Sequence, residues 1–248
     1  DSMTSILFMG VDKDELGTVK NVVGTGGQAD ALYLIAIDTD NGVTTTFQIS
    51  RNTMVDIDLY NTAGDFIRTE NNQICLSYAY GDGKETSAEN TVRSVRRLFY
   101  GLPVAQSYTA LDISGISALN DSIGGVTVTS PVTYKDDNNK VVYNEGQTYE
   151  LHGKDAESFV RSRNHETANY NDNRMARQKA YLNAFIDKTV SMTKSDVTTP
   201  VTIYNSAKPY MTTNLSAAKV SYLATDLLRK GITSADIQKV PGKDKDGK

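Results

Sequence analysis

Arg161, Arg163, Arg174 and Arg177 crowd into one stretch of a 248-residue chain whose net charge is −4. Arginine stays charged in proteins, and its planar fork of donors fits phosphate and carboxylate oxygens. If the chain leaves a short helix in extended form, Arg161 and Arg163 fall on the same side. Arg174, Arg177, Gln178 and Tyr181 lie at i, i+3, i+4 and i+7, which is one helical face. Each charge-assisted hydrogen bond to phosphate contributes roughly 1.5–3 kcal/mol, so the set together can hold a diphosphate. The same spacing also describes a solvated helix face ion-paired to Glu157, Glu166 and Asp172, and spacing alone leaves both readings open.

A second group is acidic. Asp12 follows an apolar run through Gly10-Val11, and Asp30 immediately precedes another. If the two runs are neighbouring strands, both carboxylates reach one end of a sheet. Mg²⁺ favours such a pair together with water and phosphate oxygens. Asp14 and Glu15 compete for that role, and loop carboxylates in solvent are the plain alternative. Ser50-Arg51-Asn52-Thr53 places a further cation at a strand end, where functional side chains often sit.

Other chemistries find little support. Gly24-Thr25-Gly26-Gly27 runs toward a strand rather than a helix, so it fails as a dinucleotide fingerprint. Gly83-Lys84-Glu85-Thr86 lacks the upstream glycine and adjacent hydroxyl residue of a phosphate loop. His152, His165 and the single Cys75 do not have zinc-ligand spacing. No G-x-S-x-G occurs.

These residues must be positioned by an interleaved set of elements. Ile6–Met9, Ala31–Ile37 and Thr44–Ile49 are apolar runs without clean alternation, as expected of strands covered on both faces. Residues 12–29 read as a loop. Thr86-x-x-Glu89 is a capping-box pattern opening a helix that Gly101-Leu102-Pro103 stops. A helix is expected over 113–123, a strand at 126–129, and a hairpin pairing 132–134 with 141–143 across Asp136–Asn139. A short helix is expected over 155–160 and a longer one over 174–190. A polar connection follows at 191–200, then a last helix from Ser216 (its N-cap) to Lys230. The pattern implies one α/β domain with helices on both sides of a central sheet.

Apolar residues make up 39% and charged residues 23%, ordinary for a globular protein. The pI of about 5.3 argues against nucleic acid as the main partner. The chain enters its first strand abruptly, as expected if a further segment precedes it.

Six stretches in register resemble the LytR-CpsA-Psr family of cell-envelope proteins. They are Ile6-Leu7-Phe8-Met9-Gly10-Val11-Asp12; Gln28-Ala29-Asp30-Ala31-Leu32; Ile49-Ser50-Arg51-Asn52-Thr53; Ile123-Gly124-Gly125-Val126-x-Val128; Leu151-x-Gly153-Lys154-x-Ala156-x-x-Phe159-Val160-Arg161-x-Arg163; and Arg174-x-x-Arg177-Gln178. Tyr78-Ala79-Tyr80-Gly81 also fits. The match covers residues 6–190 and runs more loosely to 240, within a domain of residues 1–242 followed by a charged tail expected to be disordered (243–248).

The resemblance implies a single α/β/α domain with a central mixed β-sheet and an apolar lipid pocket. It implies an extracytoplasmic place on a bacterial cell envelope, behind an N-terminal membrane helix absent from this sequence. The implied reaction is phosphotransfer of a teichoic-acid- or capsule-like glycopolymer from a polyprenyl diphosphate to a peptidoglycan acceptor. By position, Asp12 and Asp30 would hold Mg²⁺ (or Mn²⁺). Arg51, Arg161, Arg163, Arg174 and Arg177, with Gln178, would bind the diphosphate. Asp30, Arg51 and Arg161 would be catalytic, with Asp30 as the base. Two positions depart from the family pattern: Asn52 and Asn171 stand where carboxylates are usual. A carrier or lipid-diphosphate hydrolase of the same fold is therefore the alternative. A transcriptional regulator, the third reading, lacks a basic recognition helix.

Overall fold

The computed structural model describes residues 3–12, 26–164, 170–229 and 236–243. Asp14, Glu15, His165, Glu166, most of the loop expected at 12–29 and the tail from residue 244 lie outside them. Contacts group the chain into two compact units, one of residues 1–110, 212–214 and 236–248, the other of residues 111–211 and 215–235.

In chain order the elements are β1 (Met3–Val11), β2 (Ala29–Asp38), β3 (Val43–Ile49), β4 (Met54–Tyr60), β5 (Phe66–Gln73), α1 (Leu76–Ala79), α2 (Glu85–Leu98) and β6 (Ser107–Asp112). There follow α3 (Gly115–Ser122), β7 (Val126–Thr129), β8 (Tyr134–Lys135), β9 (Val141–Tyr143), β10 (Thr148–Leu151), α4 (Lys154–Arg161) and α5 (Tyr170–Ser195). The chain continues with α6 (Thr199–Ala207), β11 (Met211–Thr213), α7 (Ala217–Arg229) and β12 (Asp236–Lys239). The fold is mixed α/β with a central mixed sheet and flanking helices, as the family resemblance implied.

The first unit carries the six-stranded sheet, ordered β11-β6-β1-β2-β3-β12. β1–β2 and β2–β3 pair antiparallel, and β12 joins β3 in parallel. Leu7, Met9 and Val11 are fully buried there, each contributing about 1.5–3 kcal/mol by leaving water. The β4–β5 hairpin was not anticipated. Val55, Ile57 and Leu59 alternate with more polar positions and bury one face. β5 is polar and follows only from pairing with β4.

α2 starts one residue before the expected capping box, and its N-cap, Lys84, makes no side-chain cap bond. Asp82 takes over instead, accepting from the Ser87 amide at 3.2 Å, while Ser87 Oγ accepts from the Gly83 amide at 2.8 Å. The helix ends as anticipated near Gly101, whose amide reaches back to the Arg96 carbonyl at 2.8 Å.

The second unit has its own core, including Ile123, Val126, Leu151, Ala156 and Phe159. α5 is longer at both ends than expected, beginning at Tyr170. The polar stretch 191–200 is not a plain connection, because α5 runs through Ser195 and α6 begins at Thr199. Pro200 sits in the first turn of α6, where its missing N–H costs nothing. α7 begins as expected after Ser216, whose Oγ accepts from the Lys219 amide at 3.2 Å.

Candidate functional site

In the first unit, three strand ends gather charge. β1 and β2 run antiparallel, so Asp12, just past β1, lies opposite Gln28, to whose carbonyl its amide donates at 3.0 Å. The register moves from Gly10↔Ala31 to Val11↔Ala29, which leaves Asp30 as the extra residue of a β-bulge. A bulge re-aims a side chain and recurs beside functional sites. β3 returns antiparallel to β2, so Arg51, two residues beyond it, comes back to the same sheet end.

There Arg51 is ion-paired through Nη1 to Asp30, whose side chain is only 3% exposed. Its Nη2 donates to Gln28 Oε1 and reaches Cys75 Sγ at 3.5 Å. Cys75 is fully buried. Burial pushes its thiol pKa up, against the opposing pull of the Arg51 cation. Gln28 and Cys75 were not foreseen as Arg51's neighbours. Asn52 is exposed beside them, its amide 3.4 Å from Ser50 Oγ.

In the second unit, the helical face drawn from Arg174, Arg177 and Tyr181 points inward, and all three are buried. They are not the solvated face that the spacing also allowed. Arg161, the last residue of α4, does follow that plainer pattern in part, with its Nη1 3.1 Å from Glu157 Oε1 at an exposed helix surface. Ser162 then turns the chain into extended form, carrying Arg163 onward (φ −59°, ψ 139°). Arg174 donates to Asn171 Oδ1 at 3.0 Å. The residue replacing the usual carboxylate therefore still meets its arginine, through a neutral amide. Asp172, the neighbouring acid, is exposed.

Arg177 is placed differently from the ligand-facing role implied for it. At 1% exposure, it donates through Nη1 to the Phe159 carbonyl and through Nη2 to the Ser162 carbonyl. Its guanidinium lies over the Tyr134 ring, 4.5 Å from the centroid. A desolvated cation–π contact contributes about 2 kcal/mol. Desolvation pulls its pKa down to about 10, so it remains a cation at neutral pH. Gln178 Nε2 donates to the Val160 carbonyl at 3.1 Å. Nothing in the local sequence marks Tyr134 as Arg177's partner, since it comes from the distant β8–β9 hairpin.

The divalent cation implied by the resemblance can be tested against these donors. Asp12 and Asp30 offer hard carboxylate oxygens at one sheet end, which fits a Mg²⁺ or Mn²⁺ ion that draws the rest of its shell from phosphate and water. Among the described residues no group of three or more His, Cys, Asp or Glu side chains forms a protein-built metal cage. Also among them, no helix is long and apolar enough to cross a membrane.

A mixed sheet with helices around it, an acid–arginine pair at its strand ends and arginines about a short helix define a class already represented among solved structures. B. subtilis TagV superimposes with a TM-score of 0.72 at 26% identity, over 98% of this chain and 85% of TagV. The LytR_cpsA_psr family model matches residues 1–248, and the chain belongs to that family. Two curated relatives carry the name polyisoprenyl-teichoic acid–peptidoglycan teichoic acid transferase TagU. The Enterococcus faecalis protein is 24% identical over 90% of this chain, and the Bacillus cereus protein 28% identical over 96%. This chain spans 65% of the first and 68% of the second.

Proposed function

We propose that this chain transfers a teichoic-acid- or capsule-like phosphoglycosyl polymer from a polyprenyl diphosphate to peptidoglycan at the bacterial cell envelope. The observation that carries the reading is the family match along residues 1–248. The names of the TagU relatives support the substrate class.

In the proposed reaction, an acceptor hydroxyl oxygen attacks the sugar-side phosphorus. A phosphodiester to the acceptor forms, the diphosphate bridge breaks, and polyprenyl monophosphate leaves. Such transfer depends chiefly on positioning and on neutralising phosphate charge. We assign phosphate binding to Arg51, Arg161, Arg163 and Arg174, with the second amide hydrogen of Gln178. A Mg²⁺ or Mn²⁺ ion would add charge neutralisation on phosphate oxygens, with Asp12 and Asp30 as the residues to hold it.

Asp30 is the proposed acceptor of the hydroxyl proton. Its ion pair with Arg51 gives this assignment a condition: Arg51 must exchange Asp30 for a phosphate oxygen before Asp30 can serve. The reading also requires an apolar channel for the isoprenoid chain and an anchor near the membrane surface.

The second reading, a carrier or lipid-diphosphate hydrolase, is favoured by Asn52 and Asn171 at positions usually acidic. Incubation with lipid-linked donor, glycan acceptor and Mg²⁺ separates them. Covalent attachment of polymer to glycan is the expected result. Phosphate release without attachment would indicate hydrolysis, and binding without turnover a carrier.

A further inference from the structure

We propose that Arg177 is a positioning residue: boxed by aromatic rings, it clamps the carbonyl end of α4 and so aims Arg161 and Arg163 without touching ligand. The inference rests on the reading above, in which those two arginines bind phosphate.

The last carbonyls of any helix lack intrahelical partners and must find others. At the end of α4, Ser158 O is taken by the Ser162 amide at 3.0 Å. The carbonyls of Phe159 and Ser162 are both taken by Arg177, and that of Val160 by Gln178. The backbone on both sides of Arg161 is thus fixed from α5. The beginning of α4 is fixed as well, by the Gly153 amide donating to Asp121 Oδ1 at 2.8 Å. With both ends held, the exit through Ser162 that launches Arg163 has one defined direction.

The side chain at 177 suits this task for chemical reasons. Two carbonyls must be bridged at once, which a planar guanidinium fork does and a single ammonium does not. The cation needs compensation, and α4 supplies the negative end of its dipole there. The rings of Tyr134, Tyr143 and Phe159 surround it, with centroids at 4.5, 5.9 and 5.8 Å. No carboxylate is among the partners of Arg177 within the described residues, so its charge is met by dipoles and π faces alone. Both of its Nη atoms are already held by carbonyls, of Phe159 and Ser162, and this engagement with backbone sets it apart from a ligand-facing arginine.

The test is a calorimetric titration of the chain with a short polyprenyl monophosphate, alongside thermal unfolding. Tyr134→Leu and Arg177→Lys are the main variants, and Arg177→Met is the severe one. Tyr134→Leu is expected to weaken phosphate binding at least tenfold in protein that remains folded by circular dichroism. Arg177→Lys should fall between Arg177→Met and the parent. If Tyr134→Leu and Arg177→Lys lower the melting temperature while the folded fraction binds at parent affinity, the clamp is only structural and the proposal is overturned. It is equally overturned if Arg177→Met loses binding while Tyr134→Leu keeps it, because a direct ligand contact would then explain Arg177. Should Arg177→Met fail to fold, the other two variants decide the matter. Arg161→Ala is the control for the underlying reading: parent affinity there would sink the phosphate assignment itself, whereas lost affinity there with intact Tyr134→Leu would sink the clamp alone.

Discussion

Arg51 in the first unit and Arg177 in the second are both guanidinium groups withdrawn from water, and they are neutralised in opposite ways. Arg51 meets a buried carboxylate, Asp30. Arg177 meets two backbone carbonyls and the face of Tyr134. The exposed side of the first unit repeats the carboxylate solution, with Arg97 Nη2 2.9 Å and Arg93 Nε 3.3 Å from Asp58. An ion pair can be traded for another anion, so the Arg51 arrangement is suited to exchange with phosphate. A clamp of carbonyls and rings has no anion to exchange, so the Arg177 arrangement is suited to staying put.

Breaking the ion pair from one side should have the largest effect on stability. Asp30→Ala takes a buried carboxylate away from Arg51, and about 3–5 kcal/mol of unfolding free energy should be lost in urea titrations. The double variant Asp30→Leu, Arg51→Met should recover much of that loss. No recovery would mean that Asp30 acts through something other than Arg51. Next comes Arg177→Met, which strands the Phe159 and Ser162 carbonyls. At about 1–3 kcal/mol for a buried group left unsatisfied, a loss of roughly 2–4 kcal/mol is expected, and no single neutralising partner change should rescue it. Asn171→Asp turns the Arg174 contact from a cation–amide hydrogen bond into an ion pair, which adds up to about 1 kcal/mol. A gain of that size at neutral pH is expected, vanishing in acid as the new carboxylate protonates.

The smallest effect is a pH dependence. Burial alone would raise the Asp58 carboxyl, but hydrogen bonds from Thr69 and Arg97, the Arg97 charge and Arg93 outweigh it and hold the pKa below the ordinary 3.8. A depressed carboxylate contributes stability above its unfolded pKa and loses it as pH falls through the folded value. Asp58→Asn should therefore flatten the decline in stability below about pH 3.8 while changing little of its slope above pH 5, as read from melting temperatures across that range.

The parts of the fold that showed in the sequence are those whose burial is written locally. β1 and β2 are mostly apolar along their length and β3 is rich in β-branched residues, so each could be read from its own segment. α7 announces itself through Ser216. β5 did not show because Phe66–Gln73 is polar and becomes a strand only against β4. α6 was hidden by the threonines around it, although Pro200 in its first turn was a usable signal. For the site, the spacing of Arg174, Arg177 and Gln178 correctly marked one helical face. It did not tell which way the face turned, because that depends on Tyr134 and the carbonyls of α4. Asp30 at a bulge and Cys75 behind Arg51 were equally illegible, since both follow from strand register rather than neighbouring residues.

Cys75 lends the first unit a property the second lacks. It is the chain's single sulfhydryl, fully buried beside Arg51, with a thiol held in its unreactive protonated form by burial. Alkylation by iodoacetamide must then wait for that unit to open, since the second unit carries no thiol to compete. The rate of labelling becomes a clock for local opening around Arg51, readable by mass on unmodified protein. Run with and without a phosphate ligand, the same clock would report how tightly the ligand locks that sheet end shut.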